Sequence, residues 1–454
     1  MNLPVLSSLL ALLTRMLGAC PDPRPRGDAR HLALAFLCTE GPKTVTNALR
    51  WLGHSHQDWS SDYRFFSHVD WPVHDLFAPI LVDAATQQLQ RPGPFFAAQD
   101  DTLLRKTGKH LPGTAYARDP LGPHFQVNLV WGQRFLQTSL CLQPGGPAHP
   151  WRAVPVDFTH VPPLKPPPRA TPEQKAAVKE ARKKQNLSTA ANQNLFWLRD
   201  QLDRLPGGRD RLLVTGVDGG YTNRRYLRTL PPRTEVVGRI RKDARLRAYL
   251  PPDQRQGARK YGDPLPVPEA YLRDDALPWQ EFPVFVAGQV RTLKYKVIES
   301  VCWPGGTLDR PLRLIVIKAA GYRLRQHSRL LYRQPAFLIA TALTLPVEQL
   351  IEAFLARWEV EVNFRDEKTV VGVGQAQVRH PRSVGRAPAF LVAAYAALLL
   401  ASITVFGDRR TAAFAPLPKW RRDKPLRPSI GDLIALLRTE AKANPNQQPS
   451  LERR

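Results

Sequence analysis

The chain has 454 residues and a formal net charge of +26, from 65 Lys and Arg against 39 Asp and Glu. This length predicts several domains, and an apolar content of 43% excludes a disordered chain. Such a basic protein is expected to work beside a polyanion, with nucleic acid favoured over an anionic membrane surface. The four cysteines are far apart and form no Cys-x-x-Cys pair, which argues against a disulfide scaffold or zinc knuckle and indicates a reducing cytoplasm.

The first 92 residues are predicted to form a helical N-terminal domain. Apolar clusters at 32–37 and 76–81 have the spacing of buried helices, and Pro92-Gly93-Pro94 ends the pattern. Aromatic and basic residues alternate between 51 and 66. Those side chains either pack in the core of this domain or face a nucleic acid.

Residues 93–240 alternate between strand and helix patterns. An apolar run from Phe95 leads into Asp100, and two further strands, 124–131 and 135–142, are predicted with Gly132-Gln133 joining them. A basic helix is predicted from Thr171-Pro172 to Lys184. A buried strand at 212–217 then leads directly into Asp218. The strand that follows, at 234–240, ends among three cations, Arg239, Arg241 and Lys242.

The remaining chain divides into three predicted segments. Residues 241–346 alternate Pro/Gly turns with β-type runs, which predicts an all-β insertion. Helical periodicity returns over 347–407, and 408–454 form a basic C-terminal segment. The apolar stretch 387–407 is long enough to cross a bilayer. As a single such stretch in a very basic chain, it is expected to be a buried helix instead.

A helix predicted over about 350–370 carries a glutamate between two cations. At about 100° per residue, Phe354, Arg357, Glu361 and Lys368 share one sector beside an apolar stripe. That stripe is predicted to comprise Ile351, Leu355, Trp358 and Val362. The alternative is an ordinary ion pair between Arg357 and Glu361 on a solvated face.

Asp100 and Asp218 each follow an apolar strand run. Ligands gather at the carboxyl ends of strands in α/β sheets, although an aspartate there is also an ordinary turn or cap residue. Together with Glu361, these residues provide three carboxylates, which is a set that suits a pair of Mg²⁺ ions. A metal pair of this kind activates an attacking oxygen and stabilises the leaving oxygen of a phosphodiester.

On these residues the sequence resembles the DDE transposases of cut-and-paste bacterial insertion sequences, over roughly residues 30–400. One branch of that family carries a Tyr-x2-Arg-x3-Glu-x6-Lys motif, and Arg357, Glu361 and Lys368 match it in register, with Phe354 in place of the tyrosine. Asp100-Asp101-Thr102 resembles the first-aspartate strand of the family, with Asp101 as an adjacent competitor. Val217-Asp218-Gly219 resembles its second-aspartate strand.

The resemblance implies an α/β fold: a ribonuclease-H-like mixed sheet flanked by helices, interrupted by the all-β insertion and preceded by the helical N-terminal domain. The catalytic core is then split into 93–240 and 347–407. It implies that Asp100, Asp218 and Glu361 hold Mg²⁺, for which Mn²⁺ substitutes. Arg357 and Lys368 are implied to hold phosphates, and Arg239, Arg241 and Lys242 are further candidates for DNA contact.

The implied activity is cleavage at the ends of the element, followed by attack of the freed 3′-hydroxyls on target DNA. Residues 1–92 are implied to read the end sequence, and the protein is expected to pair two ends as a homodimer. We expect it in the bacterial cytoplasm at the nucleoid, without a membrane. Three alternatives stay open: a catalytically decayed DNA-binding protein, which Phe354 favours; a stand-alone nuclease of the same core fold; and a membrane-bound basic protein.

Overall fold

A computed structural model describes residues 4–119, 122, 126–286, 288–319, 321–322, 331–332, 334–421 and 424–444. Twelve α-helices lie in this described part: α1 Pro4–Met16, α2 Pro23–Cys38, α3 Val45–Trp51, α4 Ser60–Ser67, α5 Val73–Leu89, α6 Pro172–Lys184, α7 Leu187–Asp203, α8 Arg224–Leu227, α9 Val347–Ala356, α10 Trp358–Thr369, α11 Pro381–Phe406 and α12 Ile430–Ala443. Short 3₁₀ helices occupy Leu17–Ala19, Pro252–Gln254 and Pro268–Arg273.

The strands of the described residues are β1 Phe95–Arg105, β2 Ala115–Arg118, β3 Leu129–Leu142, β4 Arg152–His160, β5 Leu213–Val217, β6 Thr234–Arg239, β7 Arg247–Ala248, β8 Gln280–Val286, β9 Gln289–Cys302, β10 Pro311–Ile317, β11 Gly321–Tyr322, β12 Leu331–Tyr332 and β13 Ala336–Ala340. Eleven of them form one sheet in the order β2-β3-β1-β5-β6-β13-β10-β9-β7, with β4 on β3 and β8 on β9. The neighbours β1, β5 and β6 run parallel, and the other pairs are antiparallel. The protein therefore has a mixed α/β fold built on a large mixed sheet.

The β-rich segment between β6 and α9 extends this central sheet. Strand β13 pairs antiparallel with β6, with Leu338 opposite Arg239, and β10 and β9 continue outward from it. Apart from the short β11–β12 pair, the described strands after β6 thus belong to the same sheet as β1, β5 and β6. The boundaries proposed at 241 and 346 stay a prediction.

A predicted turn at Gly132-Gln133 is wrong, because both residues lie inside the continuous strand β3. A Cβ atom on Gly132 would come within 2.5 Å of the Leu104 carbonyl oxygen on the neighbouring strand. The glycine is therefore required by the close approach of two strands and not by a chain reversal. Residues 124 and 125, at the start of the strand predicted over 124–131, lie outside the described residues.

The apolar helix α11 is the centre of the core. Within its most apolar 18-residue window, 83% of the residues are buried. Helices α1, α2, α4 and α5 and strand β4 pack around it, so the N-terminal helices share their hydrophobic core with the sheet. Among the described helices, this is the one whose length and composition would suit a membrane span, and its burial agrees with the expected core helix.

The helix predicted over about 350–370 is in fact two helices, α9 and α10, which meet at Arg357. The N–H of Val360 donates to the Arg357 carbonyl at 2.9 Å, a three-residue spacing that tightens the turn there. Trp358, predicted to lie in the apolar stripe, is 60% exposed, whereas Val360 is fully buried. The prediction that Trp358 is buried was wrong because it assumed a single helix with uninterrupted periodicity across this junction.

Candidate active site

Asp100 and Asp218 lie side by side, and Asp218 directly follows β5 as predicted. The prediction that Asp100 also ends its strand is wrong, because β1 continues to Arg105 along its antiparallel partner β3. The register of β1 and β5 places Gln99 opposite Val217, so the next residue on each chain is one of the two aspartates. The turn after β5 is held by the N–H of Gly220, which donates to Asp218 Oδ1 at 2.8 Å. Two carboxylates that are 118 residues apart in the sequence therefore adjoin at one end of the parallel strands.

Arg357 joins the third carboxylate to this pair. Its Nη1 donates to Asp100 Oδ2 at 2.8 Å, and its Nη2 donates to Glu361 Oε1 at 3.0 Å. The residue at the junction between α9 and α10 thus links Glu361 to Asp100. The structure brings Asp100, Asp218, Glu361 and Arg357 into one acid site.

Asp101, the competing first aspartate, is occupied elsewhere. Its Oδ2 accepts from Arg134 Nη1 at 2.7 Å, and its Oδ1 accepts from the Tyr221 hydroxyl at 2.9 Å. Both of its oxygens are therefore engaged by side chains outside the acid site, whereas Asp100 faces Arg357. Sequence reasoning missed Arg134 and Tyr221, since neither lies near Asp101 in the sequence.

Burial makes the negative charge of the aspartates at the acid site unfavourable. Burial raises the pKa of Asp100 to about 7; Arg357 opposes this shift, while Asp218 and Asp101 add to it. Burial also raises the pKa of Asp101, against the effect of Arg134. A carboxyl whose charge is this unfavourable in the folded protein is one that an added cation would stabilise.

The donor set of the acid site fits a hard divalent cation, because it consists of carboxylate oxygens. In the described part of the chain, no three His, Cys, Asp or Glu side chains are already arranged around a common metal position. The guanidinium of Arg357 instead stands between Asp100 and Glu361. It is the positive group that these two carboxylates share.

Lys368 and Phe354 have different surroundings. The Lys368 Nζ lies 5.8 Å from the centroid of the Phe364 ring, and burial lowers the pKa of this lysine. Among the described contacts, none joins Lys368 to the three carboxylates. The Phe354 ring lies 5.9 Å from the Arg357 guanidinium, so the residue that replaces the motif tyrosine packs beside the acid site.

Three further cations were predicted to contact DNA. Arg239 lines a cleft of about 990 Å³ together with Arg357. Arg241 forms an ion pair with Asp243 at 2.7 Å, and Lys242 forms one with Glu269 at 3.0 Å. Of the three, Arg239 is the one that lines the same cleft as Arg357 of the acid site.

This cleft, called here the acid-site cleft, is strongly basic. One carboxylate, Glu359, is among its described lining residues, and Arg427 pairs with it at 2.7 Å. The exposed Trp358 also lines it. Its cations are Arg239, Arg291, Lys318, Arg357, Arg421, Lys424 and Arg427. Five of these were missed, because they come from distant segments and no local pattern links them.

A comparison with protein families gives one match, to a family described as DDE superfamily endonuclease, over residues 18–309. The matched span includes Asp100 and Asp218 and ends before Glu361. A comparison with curated proteins gives no match.

Proposed function

We propose a function that starts from the family to which this chain belongs, the DDE superfamily endonucleases. Membership implies a nuclease or transposase that acts on DNA and depends on a divalent metal. Within that family we infer that the protein is a DNA transposase of an insertion sequence. It cuts at the ends of the element and joins the freed 3′-hydroxyls to target DNA.

One observation carries this proposal: Arg357 links a pair of neighbouring aspartates to a helix-borne glutamate and also lines a basic cleft. The acid site supplies oxygen ligands for metal ions, and the acid-site cleft supplies cations for a polyanion. Either feature alone has an ordinary structural explanation. Their contact through Arg357, which belongs to both, favours phosphodiester chemistry.

Asp100, Asp218 and Glu361 would hold the metal ions, with Mg²⁺ as the natural choice and Mn²⁺ as a substitute. Bound there, a metal pair activates the attacking oxygen and stabilises the leaving oxygen. The chain itself binds and orients the DNA. Arg357 and Arg239 contact backbone phosphates beside the acid site, and Trp358 offers an exposed ring to the same duplex.

Pairing of two element ends is proposed to require a homodimer, with residues 1–92 binding the end sequence. Trp59 and Tyr63 support the second point, since both are exposed and their ring centroids lie 5.3 Å apart in an edge-to-face pair. Exposed aromatic residues beside exposed cations such as Arg50 and Arg64 suit contact with DNA.

The test uses a supercoiled plasmid that carries the two ends flanking the gene. Purified wild type, Glu361→Gln and the matched control Glu352→Gln, on the preceding helix, are incubated with it in Mg²⁺, and the products are mapped at nucleotide resolution. We expect end-specific cuts with 3′-hydroxyls and joined products from wild type and the control only.

Other outcomes separate the alternatives. Cuts without any joined product would identify a stand-alone nuclease. Specific binding without cuts would identify a decayed DNA-binding protein, the alternative that Phe354 in place of the motif tyrosine favours. Undiminished cutting by Glu361→Gln would assign the catalytic glutamate to another residue.

A further inference from the structure

Helix α6 has no buried side chain along its 13 residues. A capping box between Thr171 and Gln174 and Pro172 at the first helical position define where it begins. It carries five cations, Lys175, Lys179, Arg182, Lys183 and Lys184, against two acids, Glu173 and Glu180. A helix without an apolar face gains little from core packing, so its surface is available to solvent or to a charged partner.

The C-terminal end of α6 forms a groove with α7 and α8, called here the cationic groove, of about 540 Å³. Phe196, which is 49% exposed, lies on its wall. Its described lining includes no acidic side chain and five cations: Lys183, Lys184, Arg224, Arg225 and Arg228. This concentration of one sign of charge creates a strongly positive potential.

Three of these cations have no partner among the described residues. Lys184, Arg224 and Arg225 are exposed and form no ion pair or side-chain hydrogen bond there. This differs from Arg241 and Lys242, each of which is neutralised by an acid. Adjacent unpaired charges of one sign repel each other, and a polyanion relieves that repulsion.

The cationic groove is attached to the acid site through Asn223. Its side chain caps α8 by accepting from the N–H groups of Arg225 and Tyr226. Its Nδ2 donates to the Gly220 carbonyl at 2.8 Å and lies 2.9 Å from Ser188 Oγ at the start of α7. The arginines of α8 are therefore held against the turn that carries Asp218.

The cationic groove and the acid-site cleft share no described lining residue. The cleft adjoins the acid site through Arg357, and the groove adjoins it through the Asp218 turn. We propose that the cationic groove binds the phosphate backbone of double-stranded DNA, and that it holds a second duplex while the cleft holds the duplex being cut. This inference rests on the proposed function, because joining requires two DNA segments at once.

The binding test compares wild type with the triple variant Lys184→Gln/Arg224→Gln/Arg225→Gln. The control triple variant, Arg209→Gln/Arg273→Gln/Lys442→Gln, removes the same charge from exposed positions elsewhere that also form no described ion pair. Fluorescence anisotropy measures affinity for a duplex without element ends, over about 50 to 200 mM salt. Each lost phosphate contact lowers the slope of log K against log salt by about 0.9.

We expect the groove variant to lose about 10-fold or more in affinity and about 2 to 3 in slope, and the control to lose much less. On plasmid substrates, cutting at the ends should stay within about twofold of wild type, whereas joining should fall about 10-fold or more. Thermal denaturation confirms that both variants are folded.

Equal slopes for the groove variant and the control would overturn the proposal. So would an equal loss of cutting and joining, or a loss confined to binding of duplex RNA. A wild-type protein that binds duplex DNA through the groove but neither cuts nor joins would instead contradict the proposed function.

Discussion

Two glutamates on helix α10, six residues apart, have opposite environments. Glu361 is 38% exposed, with its Oε1 3.0 Å from Nη2 of Arg357, which lines the acid-site cleft. Glu367 is 1% exposed and faces strand β3, where the amide nitrogen of Gln137 lies 2.8 Å from its Oε1. Burial raises the pKa of Glu367 to about 8, and Lys368 only partly opposes this. The residue type is the same, and the helix face decides the role.

The buried face of α10 fixes the orientation of the exposed face, which carries Glu361. Beside Glu367, Asn363 donates to the Ala153 carbonyl at 3.0 Å and accepts from the Tyr395 hydroxyl at 3.0 Å. These bonds join α10 to strand β4 and to the core helix α11. A satisfied buried polar network of this kind fixes one orientation of a helix. We therefore expect changes at Glu361 to affect chemistry and changes at Glu367 to affect stability.

The largest expected effect is the loss of DNA cleavage when a carboxylate of the acid site is replaced. Glu361→Gln or Asp218→Asn should lower DNA cleavage by about 10³-fold or more while leaving DNA affinity within about twofold, because each removes a proposed metal ligand and no cation. Plasmid cleavage and anisotropy measure the two quantities. A parallel loss of binding would show that these carboxylates support the fold instead.

Arg357→Ala should expose the repulsion within the acid site. Removing one partner of a buried pair is expected to cost about 3 kcal/mol of unfolding free energy, since Asp100 then lies beside Asp218 without a cation. Added Mg²⁺ should restore part of that loss and affect wild type less. Urea denaturation with and without Mg²⁺ measures this, with Arg365→Ala as the control. Equal Mg²⁺ stabilisation of all three proteins would contradict the assignment of Asp100 and Glu361 as ligands.

Glu367 should make stability depend on pH. Its pKa rises from an ordinary 4.5 to about 8 on folding, so the folded state keeps a proton that the unfolded state releases. Stability from this group is then full below about pH 4.5, falls by up to about 1.4 kcal/mol per unit between about pH 4.5 and 8, and is constant above that. Glu367→Gln should make the decline smaller and leave the part that the raised pKa of Asp100 contributes, whereas Glu180→Gln on the exposed helix α6 should preserve the full decline. Denaturation curves from pH 5 to 9 decide this.

The smallest expected effects are on the salt dependence of DNA binding, and they should differ between variants of Arg239 and Arg241. Arg239→Gln is expected to lower the salt slope of DNA binding by about 1, because this cation lines the acid-site cleft. Arg241→Gln should lower it by less than half as much, since Asp243 already neutralises that charge. Equal losses in anisotropy titrations would extend the DNA contact beyond the cleft.

Local chemistry made several features predictable from the sequence. Helix α6 begins where Thr171-Pro172 predicts, because a capping hydroxyl and a proline act within one turn. The apolar composition of α11 predicts burial, and Asp218 directly follows a strand as expected. These depend on neighbours only a few residues away.

Long-range contact decided the rest. The register of β1 on β5 set Asp100 beside Asp218, the junction at Arg357 turned Trp358 outward, and Gly132 met a carbonyl of another strand. The acid-site cleft gathered cations from segments as distant as Arg239 and Arg427. The sequence by itself determined which residues are acidic, basic or apolar within each element. Only the tertiary structure decided which of them share a site, because strand pairing and helix packing join residues that no local pattern relates.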